Sequence, residues 1–256
     1  MRNLPLRSLL ASATLLAGPA ALADSTNTIS DFDERIGVAR QASSPSGATV
    51  TRAEMKAAVD LFLKDDQQVD AAERAHMGAK LASSTFLTGV TGAARKYLID
   101  THELNDTATT AAPLGNFPVS QPPAELYGAE GDLALYSEIR EGYIPNGQGV
   151  ANQLTLVETF NNNSGLYVKR VNYFTPISTQ ELIERLSTQY ITTQPTVDEV
   201  EGALAYIHQI YRNSSRLYIA SYTYSYYSGW TEGFVVAAVS SDRRFVRFVD
   251  VLTYGE

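Results

Sequence analysis

The sequence predicts an α+β protein: an N-terminal helical segment, then an antiparallel sheet with helices packed on one face. Three observations carry that expectation. Apolar residues recur at helical spacing before residue 104 and at every second position in most of the chain after 132. The linker-like stretch Asn105 to Glu125 separates the two patterns, with Thr107-Ala108-Thr109-Thr110-Ala111-Ala112-Pro113 and then Pro118, Pro122 and Pro123. The last forty residues read as three consecutive strands with polar turns between them.

The first 23 residues read as a secretory signal peptide. Arg2 and Arg7 supply the positive start, Leu9 to Gly18 an apolar stretch, and Ala21-Leu22-Ala23 a small-residue cleavage site before Asp24. The apolar run falls short of the roughly 20 residues a membrane span needs, so the mature chain is expected to carry none. The expected location is periplasmic or secreted. With no cysteine, the chain has no disulfide, thiol nucleophile, Cys-ligated metal or Cys-linked lipid anchor. The net charge of −8 becomes two units more negative once Arg2 and Arg7 leave, which argues against a nucleic-acid partner.

Residues 24 to about 50 are polar and read as a mobile arm, with a short helix around Asp31 to Arg40. Thr51-Arg52-Ala53-Glu54 and Asp70-Ala71-Ala72-Glu73 are capping boxes that open two helices. A third helical segment spans Ser84 to Thr101, weakened by Gly89 and Gly92. Val50-Thr51-x-x-Glu54 and Val69-Asp70-x-x-Glu73 also resemble the second half of an EF-hand calcium loop. The first half is missing: with Glu73 as last ligand, Phe62 and Lys64 fall on early ligand positions and Gln67 on that of the turn glycine. Capping explains the same residues.

Beyond the linker, the region 126–256 reads as one α+β unit. Leu133 to Ile144, Gln153 to Phe160 and Leu166 to Phe174 are candidate strands, with a hairpin turn at Asn161-Asn162-Asn163-Ser164-Gly165. Ser178-Thr179-Gln180-Glu181 and Thr196-Val197-Asp198-Glu199 cap two helices, 178–190 and 196–212. Strands follow at Arg216 to Tyr227, Trp230 to Ser240 and Arg244 to Tyr254, turning at Ser228-Gly229 and Ser241-Asp242-Arg243. Tyr167 to Thr175 matches Phe245 to Thr253 in chemical type, which suggests a duplicated three-stranded meander.

The motifs of catalysis are missing. There is no G-x-S-x-G, no S-x-x-K and no phosphate-cradling glycine loop in a strand–turn–helix context. His102-Glu103 begins like a zinc-protease motif but reaches Asp106 where the second histidine belongs. His76 and His208 sit on helical patterns. Paired carboxylates (Glu130 with Asp132, Glu138 with Glu141, Glu158, Glu232) are the residue type a glycosidase uses. No catalytic residue, metal ligand or cofactor is assigned. The tyrosines of the 216–227 strand stand out: Tyr218, Tyr222, Tyr224 and Tyr226 alternate onto one face, most of them for packing. The strand's far end and the following turn, with Tyr224, Tyr226, Tyr227 and Trp230, form the candidate binding site. The expected function is an exported soluble binding or interaction protein of the bacterial envelope, in an inhibitor, accessory or assembly role. Its partner would be a protein, peptide or glycan in the envelope or outside the cell. The alternative is a carboxylate-based hydrolase of envelope or extracellular polymer.

Overall fold

A long amphipathic helix opens the described part of the chain. The computed structural model describes residues 19–64, 66–115, 119–120, 133–134, 139–163, 169–188, 197–198, 201, 214–226 and 229–253. Helix α1 (Pro19–Ala39) extends through most of the expected mobile arm. Phe32, Ile36 and Ala39 lie on one face at spacings of four and three and are buried. The arm expectation fails because these residues are diluted by the acidic residues of the outer face. Residues 1–18 of the expected leader lie outside the described residues.

Helices α2 (Arg52–Val59), α3 (Ala71–Ala82), α4 (Ser84–Leu87) and α5 (Gly92–Leu104) follow. Both capping boxes form: Thr51 and Glu54 satisfy each other's backbone at the start of α2, as do Asp70 and Glu73 at α3. The expected single helix over 84–101 is interrupted at Gly89, whose φ of +74° no helix accommodates. It restarts with Thr91 accepting from the Ala94 N–H. The helices enclose an apolar core of Phe32, Met55, Phe62, Met77, Tyr97 and Leu98, with Phe32 stacked on Phe62 at 5.1 Å. Gln67 adopts a φ of +62° at the position matching the EF-hand turn glycine. The carboxylates of that resemblance are engaged as caps. Glu54 accepts from the Thr51 N–H at 2.9 Å and from Ser46 Oγ, and Glu73 from the Asp70 N–H and Thr28 Oγ1.

The rest of the described chain builds one antiparallel sheet. Its strands are β1 (Val119–Ser120), β2 (Leu133–Ala134), β3 (Ile139–Tyr143), β4 (Thr175–Pro176), β5 (Arg216–Tyr226), β6 (Gly229–Val239) and β7 (Phe245–Thr253). Their order is β1-β3-β7-β6-β5-β4, with β2 also on β7. The fold is therefore α+β with an antiparallel sheet and helices packing on it. The last three strands form the expected meander within a residue or two of their predicted ends. Gly229 belongs to β6, opposite Tyr226, rather than to the turn.

The region before it is not a copy of that meander. Gln153 to Phe160 lies in helix α6 (Gln153–Asn163), not a strand. Asn152 decides the outcome: its Oδ1 accepts from the Thr155 N–H at 3.1 Å, and its Nδ2 donates to the Asp106 carbonyl at 2.7 Å. Thr155, Leu156, Thr159 and Phe160 then bury one helical face. The expected turn at 161–165 is partly the end of α6, with Ser164 and Gly165 outside the described residues. Residues 169–174 form no strand, and β4 begins only at Thr175. Helix α7 (Thr179–Thr188) starts at its expected capping box: the Glu181 N–H donates to Ser178 Oγ at 3.2 Å and the Ser178 N–H to Glu181 Oε2 at 2.7 Å. Of the expected 196–212 helix, residues 197–198 and 201 are described, and helical.

The second core joins α6 to the sheet, through Leu156, Phe160, Phe174, Tyr218, Tyr222, Val235 and Phe248. The start of the linker packs on α6: Thr155 Oγ1 donates to the Ala111 carbonyl at 2.8 Å and the Leu114 N–H to Thr159 Oγ1 at 2.9 Å. Gly149 makes this close approach possible, since a Cβ there would sit 2.5 Å from the Thr109 carbonyl oxygen.

Candidate functional site

Strand β5 has two different ends. Near its start, Tyr218 and Tyr222 alternate into the core, as period-2 geometry requires. Tyr222 stacks on Phe160 at 6.0 Å, and the Tyr218 hydroxyl faces the Asp100 carbonyl at 3.4 Å. Burial pushes the Tyr218 phenol far above its ordinary pKa, so it stays neutral. These two tyrosines are packing residues.

The predicted site lies at the far end. Tyr224 pairs through its backbone with Thr231, Tyr226 with Gly229, and Trp230 with Ser225, so the β5–β6 hairpin brings these three together. Their side chains lie outside what is described, and Tyr227 lies outside the described residues altogether.

The backbone of β5 carries the main observation. Strand β4 pairs with β5 only at Thr175↔Ile219 and Pro176↔Tyr218, and the Ile177 N–H donates to the Leu217 carbonyl at 3.0 Å. Leu217 and Ile219 therefore point their backbone groups toward β4, and by the alternation of an antiparallel ladder so do Ser221, Thr223 and Ser225. Past Ile219 no described strand lies on that side, while the other side of β5 pairs with β6 along its whole length. Pro176, lacking an N–H, suits a strand that ends a sheet. Ser221 and Thr223 are exposed. Among the described residues this leaves three positions of the β5 edge presenting alternate N–H and C=O groups with no strand beside them.

A cleft of about 790 Å³ opens where β4 stops. Ile219, Ala220 and Ser221 form its floor; Tyr173 and Thr175, α7, and the end of α2 with the loop after it form its walls. Among the described residues its charged groups are Lys56, Asp60, Lys64, Glu181 and Arg185. Lys56 holds Asp60 at 2.5 Å, and Arg52, just behind, holds Glu181 at 2.7 Å. Burial opposes the charge on Glu181, but hydrogen bonds from Arg52 and Ser178 outweigh it and keep the carboxyl below its usual range. Arg185 donates to Ser221 Oγ at 2.9 Å and lies over the Phe234 ring at 5.6 Å. Lys64 is exposed.

The described candidate catalytic and metal-binding residues do not come together. Glu141 pairs with Arg247 at 2.7 Å, Glu232 is exposed, and Glu130, Asp132 and Glu138 lie outside the described residues. His76 meets Asp33 at 3.0 Å rather than its helical neighbour Glu73. His102 packs against Gly78, and His208 lies outside the described residues. Among the described residues no three His, Cys, Asp or Glu side chains gather as a metal would need. Asp100, beside Lys96 at 2.5 Å, has its carboxyl pushed up by burial, but it sits at the junction of α5 and β5, away from the cleft. No helix among the described residues is long and apolar enough to cross a membrane.

Sequence reading missed the cleft, whose residues come from four separated stretches. The signals open to it were Pro176 and the switch of β5's odd positions from Leu217 and Ile219 to Ser221, Thr223 and Ser225. Comparison of the chain with protein-family models, curated proteins and solved structures finds no match to any of them.

Proposed function

We propose that this chain is an exported binding protein of the bacterial envelope that holds an extended partner segment by strand addition along the outer edge of β5. The observation that carries the reading is the row of outward backbone groups at Ser221, Thr223 and Ser225, beside which no described strand lies. An added strand would pair these groups and gain affinity from main-chain hydrogen bonds. The leader-like N-terminus supports export, and the hairpin end with Tyr224, Tyr226 and Trp230 supports a partner that continues past the edge. The hydrolase alternative draws no support from the described carboxylates.

Thr223→Pro tests the reading. It removes one outward donor and none that faces β6. Labelled protein is applied to an array of short peptides, and the bound peptides are followed by hydrogen exchange. Wild-type protein is expected to slow exchange at Ser221, Thr223 and Ser225 on binding, and Thr223→Pro to lose the peptides while keeping its fold. Peptides that bind both proteins alike, or leave those amides unchanged, would overturn strand addition.

A further inference from the structure

The occupant of the β5 edge follows from the order of residues along it, on the footing of the strand-addition reading. Ser221-Tyr222-Thr223-Tyr224-Ser225 reads the same in both directions about Thr223. Two identical antiparallel strands related by a two-fold axis set each residue beside its mirror position, so a strand with this order is complementary to itself. The ladder also fixes where the axis falls, because outward residues must face outward residues. Centred on Thr223, Ser221 of each copy meets Ser225 of the other. Centred on Tyr222, Ser225 would meet Ile219, whose place is taken by Thr175 of β4. Centred on Tyr224, Ser221 would face a position beyond Tyr226, where β5 ends. The length matches too: with the axis at Thr223, Tyr226 of the second copy arrives opposite Ala220, one residue short of the Thr175↔Ile219 pair. Strand β4 goes no further, since Gln153 bonds the Phe174 N–H at 3.0 Å and the Phe174 carbonyl at 3.1 Å.

From Leu217 to Tyr227 the strand carries no charged residue, whereas edges that avoid one another commonly carry Lys or another charge. Among the described residues, the charges beside the strand lie off the pairing line: Lys169 over the Tyr222 ring at 5.2 Å, Arg185 at Ser221 Oγ, and Glu232 opposite Thr223 on β6. Glu232 would stand three strand spacings, about 14 Å, from its counterpart.

We infer that the occupant of the β5 edge is β5 of a second copy of this chain, paired antiparallel about Thr223 in a two-fold dimer. Ser221, Thr223 and Ser225 exchange their N–H and C=O groups with those of the other strand, which joins two sheets into one. Thr223 meets its counterpart on the axis, and Tyr222 takes the register position beside Tyr224 of the second copy, pairings that favour strand association. Other extended segments reach the edge as the dimer opens.

The experiment follows the chain from residue 24 by sedimentation equilibrium over a wide range of concentration. The dimer fraction is expected to rise with concentration, and with salt, which screens the repulsion between two chains of net charge −8. Hydrogen exchange at Ser221, Thr223 and Ser225 should slow as the dimer forms. Disulfide trapping reads the register against a background free of cysteine. Thr223→Cys sets two Cα atoms about 5.5 Å apart on the axis and should cross-link with oxidised glutathione. Ser221→Cys should not, since four residues of strand rise hold it more than about 10 Å from its counterpart. Thr223→Lys, on an exposed side chain, opposes like charges across the axis and should weaken the dimer at least tenfold, yet still accept peptides from the array. A chain that stays monomeric throughout, but binds peptides with those amides protected, would overturn the second copy and leave strand addition standing. A dimer that traps Ser221→Cys as readily as Thr223→Cys, or leaves the three amides exchanging freely, would also overturn it. A monomer whose amides no peptide protects would overturn both readings.

Discussion

The two halves of the molecule handle their loose ends in opposite ways. In the helical half the helix starts carry side-chain caps at Thr51, Asp70, Ser83 and Thr91, and the apolar stripes of α1, α2, α3 and α5 close on each other. In the sheet half β7 is covered by β3 and β2, yet no described strand pairs with the outer side of β5 past Ile219. An element whose polar groups are satisfied internally stabilises the fold, whereas one with a row of unsatisfied groups either carries a device against association or meets a partner. The contrast is the ground on which stability is proposed for the helices and recognition for the sheet edge. It can be tested by breaking each half in turn.

The largest effect is expected at Phe32. Fully buried and stacked on Phe62, its truncation to Ala should cost about 3–5 kcal/mol in urea unfolding followed by circular dichroism. If the helical half is a scaffold, the folded fraction of Phe32→Ala should still bind at the β5 edge with unchanged affinity. A smaller loss, about 2 kcal/mol, is expected for Asn152→Ala, which removes the α6 cap and two hydrogen bonds to the linker, at the Asp106 carbonyl and Thr110 Oγ1. Its mark should be selective: amides of 109–115 and 153–163 exchanging faster, those of α2 and α3 unchanged.

Asn152 also explains what the sequence left hidden. The three final strands were legible because each is long, alternates cleanly and turns at polar residues; the Ser240–Asp242–Arg244 bonding at the last turn realises that signal. Capping boxes were legible because they are local. Leu154-Thr155-Leu156-Val157-Glu158-Thr159-Phe160 fits a strand and a helix equally over so short a run, and the partners that settle it, at Asp106 and Thr110, lie more than forty residues away. The candidate site divides along the same line. Tyr224, Tyr226 and Trp230 come from one hairpin and could be read in sequence. The gathering of Lys64, Arg185 and Ser221 depends on where β4 stops, which no local pattern states.

Arg52 joins the halves. It donates to Glu181 at 2.7 Å and to the Pro176 carbonyl at 3.3 Å, and lies 4.7 Å over the Tyr97 ring. Arg52→Gln should cost about 2 kcal/mol, since a partly buried carboxylate loses its cation and β4 loses a tether. The comparison sharpens if this variant also alters peptide affinity at the β5 edge in a fluorescence titration, because the tether holds β4, whose Thr175 borders that edge. Stability falling with affinity untouched would mean that the junction is purely structural.

The smallest effect is a change of slope with pH. His102 packs against Gly78, and burial, aided by the Arg74 and Arg243 charges and opposed by Asp106 and Glu103, holds its pKa below 6.5. The folded state then binds fewer protons than the unfolded state below that value, so stability is full above about pH 6.5 and declines as pH falls toward the folded pKa. His102→Gln should flatten this decline in melting curves taken between about pH 7 and pH 5. The packing contact joins α3 and α5, with Arg243 the one charge from the sheet half, so the decline should appear chiefly in the helical half while the exchange of β6 amides stays constant. An equal slope in His102→Gln would place the acid sensitivity elsewhere, and a slope shared by β6 would show that the two halves unfold as one cooperative unit, which would leave the sheet edge no independent margin for exchanging partners.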